Sequence, residues 1–221
     1  VIIVTGAGRC GSSLMIQTLH LLGVPLVGEP QNQVYEHCLW GGYHKDKSVE
    51  IKISKEQNNK AVGFNPKGYW ELDFYTLLDI CHGKYTGTTN GHAVKLMGEL
   101  ILETNAKDIE KVVVCKRYDT IRQAESMYDL SRLDIEIVDE NKLDCPFADV
   151  YRDMTMQDIH NKMGLHNFMV DKWVEDTNIL YLNIYFEDML SKPKETIKNL
   201  VHFLDIGEVD ITEAVDNVDE R

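Results

Sequence analysis

Val1-Ile2-Ile3-Val4-Thr5-Gly6-Ala7-Gly8-Arg9-Cys10-Gly11-Ser12-Ser13 is the most informative run in this sequence of 221 residues. Its first five residues are mostly β-branched and show no polar face. That is the pattern of a strand buried on both sides, as in a parallel sheet. A glycine-rich turn follows from Gly6 to Gly11. Ser12 and Ser13 then open a run in which Met15, Leu19 and Leu22 recur at helical spacing. Gly23 and Pro25 end it. A strand, a glycine-rich turn and a helix in this order suit a phosphate. Glycines let backbone N–H groups curl around the anion, and the helix N-terminus adds partial positive charge. Ser12 and Ser13 are expected to cap the helix and to donate to phosphate oxygens.

The same alternation continues along the chain. Leu26-Val27 suits a short second strand. Residues 41–68 read as loop, residues 72–80 as a helix, and residues 82–91 as a turn-rich connector. His92 to Met97 reads as a strand. Lys111 to Cys115 (KVVVC) is a buried strand ending at Lys116-Arg117, with a helix from Asp119 to about Leu130. A further helix spans about Thr155 to Glu175, broken near Gly164. Ile179 to Tyr185 is the last strand. Pro193 then starts an amphipathic run with Ile197, Leu200, Val201 and Leu204. The tail after Gly207 is acidic and weakly patterned. Strands alternating with helices predict a three-layer α/β fold, a parallel sheet with helices on both faces. The length suits one domain covering residues 1–221.

Charge narrows the partners. Lys and Arg number 23 against 36 Asp and Glu, a net charge of −13. Such a chain lacks the positive field that broad binding to nucleic acid or anionic lipid needs. Bound phosphate must be held by a few convergent donors. The 5 cysteines are odd in number and form no C-x-x-C pair, so reduced, buried thiols are expected. No N-x-[ST] sequon, no signal peptide and no apolar stretch of roughly 20 residues is visible. A cytoplasmic protein without a membrane span is the expectation. The histidines show no H-x-x-x-H pair, and no metal site is expected.

The loop fits G-x-x-x-x-G-K-[ST] at every position but one. Ser12 stands where the lysine belongs, and the cation sits earlier, at Arg9. A nucleoside triphosphatase also wants a carboxylate at the tip of a neighbouring strand to hold magnesium. The strand at 112–115 ends instead in two cations, Lys116 and Arg117, which suits a second anion. Two other readings stay open: a plain tight turn between strand and helix, and a dinucleotide site on Gly6, Gly8 and Gly11 with Glu29 as its ribose-binding acid.

Gly8-Arg9-Cys10-Gly11-Ser12-Ser13-Leu14 resembles the R-S-G-T-[TS]-L signature of sulfotransferases that use 3′-phosphoadenosine 5′-phosphosulfate (PAPS). Asn65-Pro66-Lys67-Gly68-Tyr69-Trp70-Glu71 is similar to the N-P-x-G-[FY]-x-E segment of bacterial-type members. Val112 to Arg117 resembles the strand whose terminal Arg binds the donor's 3′-phosphate. Tyr185-Phe186-Glu187-Asp188-Met189-Leu190, with Pro193 and Phe203-Leu204, resembles the late Y-E-D-L…P…F-L stretch. The likeness runs from about residue 2 to 206. It departs at the serine expected eight residues after the 3′-phosphate Arg, where Glu125 stands and Ser126 follows. The R-K-G-x-x-G loop of eukaryotic cytosolic members is absent.

The resemblance implies a P-loop-like fold, related to nucleoside triphosphate hydrolases, and sulfuryl transfer from PAPS to a hydroxyl or amine acceptor without a metal. Gly8, Arg9, Cys10, Gly11, Ser12 and Ser13 would hold the 5′-phosphate, and Arg117 and Ser126 the 3′-phosphate. Arg9 would neutralise charge on the leaving group. Glu29 would be the base, with Glu71 as a second candidate that also suits a helix cap. Lys95, at a strand's carboxyl end, would contact the sulfuryl group or the acceptor. Arg122 is a further 3′-phosphate candidate, against an exposed helix face. Tyr69 and Trp70 suit an acceptor pocket, adenine stacking or core packing. A variable region of about 128–175 would face the acceptor. Its Met154, Met156, Met163, Phe168, Met169 and Trp173 suit either helix packing or a lid. The acceptor class is open among carbohydrate, lipid, peptide and small metabolite. A kinase with an atypical loop and a non-catalytic partner-binding relative are the alternatives.

Overall fold

Four short strands make the framework: β1 (Ile2–Thr5), β2 (Ala93–Lys95), β3 (Lys111–Lys116) and β4 (Tyr181–Tyr185). The computed structural model describes residues 1–27, 72, 74–98, 100–132, 151 and 153–219. All three pairings are parallel, and the order across the sheet is β2-β1-β3-β4. Helices cover both faces, which is why Ile2–Val4 of β1 and Val112–Cys115 of β3 are apolar without a break. Ile2, Val4, Val113, Cys115 and Ile184 face α1 (Ser12–Leu21), α6 (Pro193–Leu204) and α7 (Thr212–Asp219). Val1, Ile3, Val112 and Val114 face α2 (Phe74–Cys81) and α4 (Met156–Thr177). A smaller cluster joins Ala7 of the glycine-rich loop to Ala124 and Met127 of α3 (Thr120–Ser131) and to Ile159 and Met163 of α4.

This strand order places the loop at a particular spot. From β1 the chain crosses to β2 on one side, then to β3 and β4 on the other. The crevice between the carboxyl ends of β1 and β3 is therefore the topological switch point, where open α/β sheets collect ligands. The glycine-rich loop leaves β1 there, and Arg117 follows β3 there.

Several elements differ from the sequence reading. Leu26-Val27 is a single parallel bridge to Ala93 rather than a strand, and the strand read at 92–97 is confined to Ala93–Lys95. The helix read as broken near Gly164 runs unbroken for 22 residues. Gly164 is exposed, so it costs only about 1 kcal/mol against alanine, and a capping box between Thr155 and Asp158 starts the helix firmly. The tail after Gly207, read as weakly patterned, holds a helix. Asp210 accepts from both the N–H and the hydroxyl of Thr212. α7 then buries Ala214 and Val218 in the core beneath α1 and α6. A short α5 (Phe186–Ser191) follows β4 directly. No described helix is long and apolar enough to cross a membrane. The loop read at 41–68 lies outside the described residues.

Candidate functional site

Glycine is required where the loop leaves β1. Gly6 has φ 152°, and a Cβ there would overlap the carbonyl oxygen of Cys115. It is required again where α1 begins. Gly11 has φ 92° and is the N-cap, and a Cβ would lie 2.6 Å from the Phe186 ring. Ser12 and Ser13 are the first two residues of α1 and do not cap it, which corrects the sequence reading. With glycine at the cap, the N-cap residue has no side chain to cover the first-turn N–H groups. Those groups and the helix dipole then favour an anion in front of them.

Two cations converge on this loop. Arg9 lies within it in the left-handed region, at φ 62°. Its Nε donates to Ser126 Oγ of α3 at 3.0 Å. Lys95 ends β2, is only 7% exposed, and donates from Nζ to Ser13 Oγ at 2.9 Å. The parallel register explains the reach, because Lys95 is paired with Val4 just before the loop.

The loop is also fastened from below. Gln123 Nε2 donates to the carbonyl of Gly8 at 2.7 Å and reaches that of Ala7 at 3.4 Å. The Met127 methyl group packs on Gly8 so closely that a Cβ would overlap it. Cys10 turns into the core and meets Cys115 of β3. The Cys115 contact lowers the Cys10 pKa against the opposing effect of burial, with help from Ser12 and Lys95. The same contact, together with burial, pushes the Cys115 thiol up. Cys10 thus offers an anion its backbone rather than its thiol.

No family model matches this chain, and no curated protein matches its sequence.

The two arginines singled out from the sequence stand at the same carboxyl edge. The Arg117 guanidinium lies 4.8 Å from the centre of the Phe186 ring, and that ring is the neighbour of Gly11. Arg117 Nε donates to Glu187 Oε1 at 3.3 Å. Among the described residues its two Nη groups have no acceptor. Glu187 also accepts from the N–H groups of Tyr118 and Asp119. Tyr118 stacks on Tyr185 at 3.9 Å, and its hydroxyl donates to Asp188 at 2.8 Å. Lys116 departs from the pair of anion-facing cations read from the sequence. It turns to α4 and pairs with Asp171 at 2.6 Å, which leaves Arg117 alone at the tip of β3.

The other candidates divide. Ser126 faces the loop while Glu125 is exposed. Ser126 meets Arg9, however, and not Arg117. Arg122 is 76% exposed and paired with Asp119, apart from the loop. Met163 and Trp173 are buried helix packing, whereas Phe168 and Met156 are exposed. Glu29, Glu71, Tyr69 and Trp70 lie outside the described residues. Sequence reasoning missed Gln123 and Phe186. Gln123 left a signal, as a polar residue at helical spacing with buried Met127 and Leu130. Among the described residues no group of His, Cys, Asp or Glu is arranged to hold a metal ion.

Proposed function

We propose that the protein is a PAPS-dependent sulfotransferase of the P-loop-like kind, moving a sulfuryl group to a hydroxyl or amine acceptor. One observation carries the reading. Arg9, tied to Ser126, and Lys95, tied to Ser13, flank a glycine-capped helix start at the switch point. The first-turn amides with the Ser12 and Ser13 hydroxyls would receive the 5′-phosphate. Sulfuryl transfer resembles phosphoryl transfer through a loose transition state, so placed charges do most of the work. Arg9 would neutralise the leaving phosphate as the S–O bond breaks, and Lys95 would support the sulfuryl oxygens. Arg117 would hold the 3′-phosphate through its Nη groups, because only Nε is committed to Glu187. The likeness of the loop, the β3 tip and the 185–204 stretch to the sulfotransferase signatures supports the same assignment. The apolar run 112–115 is followed in the chain by Lys116 and Arg117 and not by the Asp that a magnesium site would want there, which favours the same assignment.

The acceptor is the open part of the proposal. A net charge of −13 disfavours a heavily sulfated polymer by repulsion. Carbohydrate, lipid, peptide and small-metabolite hydroxyls would be screened with radiolabelled PAPS.

Thermal unfolding with added nucleotide tests the donor. A ligand at a hundred times its Kd stabilises the folded state by about 2.7 kcal/mol. Adenosine 3′,5′-bisphosphate, in the presence of a chelator, is expected to raise Tm. Stabilisation by magnesium-ATP alone would instead identify a kinase. No response to either nucleotide would leave a partner-binding relative.

A further inference from the structure

Gln123 is fully buried on α3, yet only half of its amide is satisfied. Nε2 faces the carbonyls of Gly8 and Ala7 at 2.7 and 3.4 Å. This settles which end of the amide points at the loop, since an oxygen there would confront two oxygens. Oε1 is then left inside the protein with no hydrogen-bond partner. An unmatched buried acceptor carries a penalty that an apolar side chain of similar length would not. That penalty opposes what the two donor contacts contribute, so net stability gives little reason for a glutamine here.

What its donors hold is specific. The peptide unit is planar and trans, so the Gly8 carbonyl and the Arg9 N–H point in opposite directions within one plane. Holding that carbonyl toward α3 turns the Arg9 N–H away from α3 and across the loop. Arg9 is also a non-glycine residue at φ 62°, a conformation that needs support from outside. Ser126 supports it at the side chain and Gln123 at the backbone. The two are three positions apart on one helix, with Met127 beside them against Gly8. One stripe of α3 thus grips the loop at three points.

We infer that Gln123 is a positioning residue, which turns the loop amides toward the bound anion. Only the identity of that anion, the donor's 5′-phosphate, rests on the function proposed above.

Gln123→Met keeps the length of the side chain and removes both the donors and the unmatched oxygen. Hydrogen–deuterium exchange in the 6–13 segment of the ligand-free protein is expected to rise about tenfold, the equivalent of one lost hydrogen bond. Tm should hold or rise, and the Kd for adenosine 3′,5′-bisphosphate should rise by a similar factor. Gln123→Glu is the second variant. Its carboxylate repels the two carbonyls, whereas the protonated acid restores a donor. Loop exchange in Gln123→Glu, measured against the wild type at each pH, should therefore slow again as pH falls. Unchanged loop exchange in Gln123→Met, or an equal rise in every segment together with a fall in Tm, overturns the inference. Faster loop exchange in a protein whose wild type binds no bisphosphate removes the proposed donor and leaves the positioning role standing.

Discussion

Arg9 and Ser126, 117 residues apart, are joined by a 3.0 Å hydrogen bond from the guanidinium Nε to the hydroxyl oxygen. The bond ties the one cation inside the glycine-rich loop to the helix that follows β3. Ser126 stands nine residues after Arg117, one place later than the serine of the signature that the sequence resembles. At that offset on α3 the side chain meets the loop, while Glu125 faces solvent.

If Arg9 acts on the leaving phosphate, Ser126 aims it. Removing a preorganised charged donor from such a site typically costs about a hundredfold or more in rate. Arg9→Ala should therefore slow single-turnover transfer by about that factor. Ser126→Ala leaves the charge but loosens it, and should cost about tenfold, the worth of one hydrogen bond to a charged group. The double variant should be no slower than Arg9→Ala. Multiplying losses would mean that the two side chains act separately.

Lys95 makes a different prediction, because it is buried and reaches the loop from β2. Lys95→Met keeps most of the apolar stem and removes the charge, so the fold should persist. Affinity for PAPS, which carries the sulfuryl group that adenosine 3′,5′-bisphosphate lacks, should fall by about 10- to 100-fold, the range for a lost charge-assisted hydrogen bond. Lys95→Arg should not restore it, since a planar fork does not fit the place of a compact ammonium. Titration calorimetry on the three proteins decides, and equal affinities would detach Lys95 from the site.

The framework of this site is legible in the sequence because it obeys local rules. β1 and β3 are apolar without alternation, as strands covered on both faces must be. Asp119 caps α3 by accepting from the Arg122 N–H at 2.9 Å, a start that Asp before a helical run announces. The missed elements depend on distant contacts. α7 is acidic and short of apolar residues, and its two buried positions gain a meaning only against α1 and α6. Lys95 and Ser13 are 82 residues apart, and only the parallel register brings them together. Gln123 left a trace, but its two carbonyl partners come from backbone geometry that no residue pattern encodes. Lys116 misled for a related reason. Successive residues leave a strand on opposite sides, so Lys116 and Arg117 were not going to serve one anion.

Gly11 combines a left-handed φ of 92° with the Phe186 ring 2.6 Å from where a Cβ would sit. Alanine there meets backbone strain of about 1–3 kcal/mol as well as the ring. Gly11→Ala should lower the urea midpoint markedly. Adding Phe186→Leu should recover only the steric part, because the strain in φ remains. Full recovery in the double variant would assign the whole penalty to the ring.

Glu187 gives the fold a calculable response to acid. Burial is the largest single influence on its carboxyl and raises the pKa. The Tyr118 N–H, its own amide, the Arg117 guanidinium and the Asp119 N–H together outweigh it, so the pKa lies below the ordinary glutamate value. The unfolded chain takes up this proton near the ordinary value of about 4.3, and the folded chain only at lower pH. The ionised carboxylate therefore stabilises the folded state above that value, and the contribution drains away as pH falls through the folded pKa. Glu187→Gln removes the charge at every pH. The stability gap between wild type and Glu187→Gln should be constant from pH 7 to about 5 and close below about 4. The gap should be modest, since the side chain is 31% exposed and solvent screens it. Urea unfolding of both proteins across that range tests the point. A gap that persists undiminished to the acid end would show that the glutamine's hydrogen bonds, and not the charge, account for the difference.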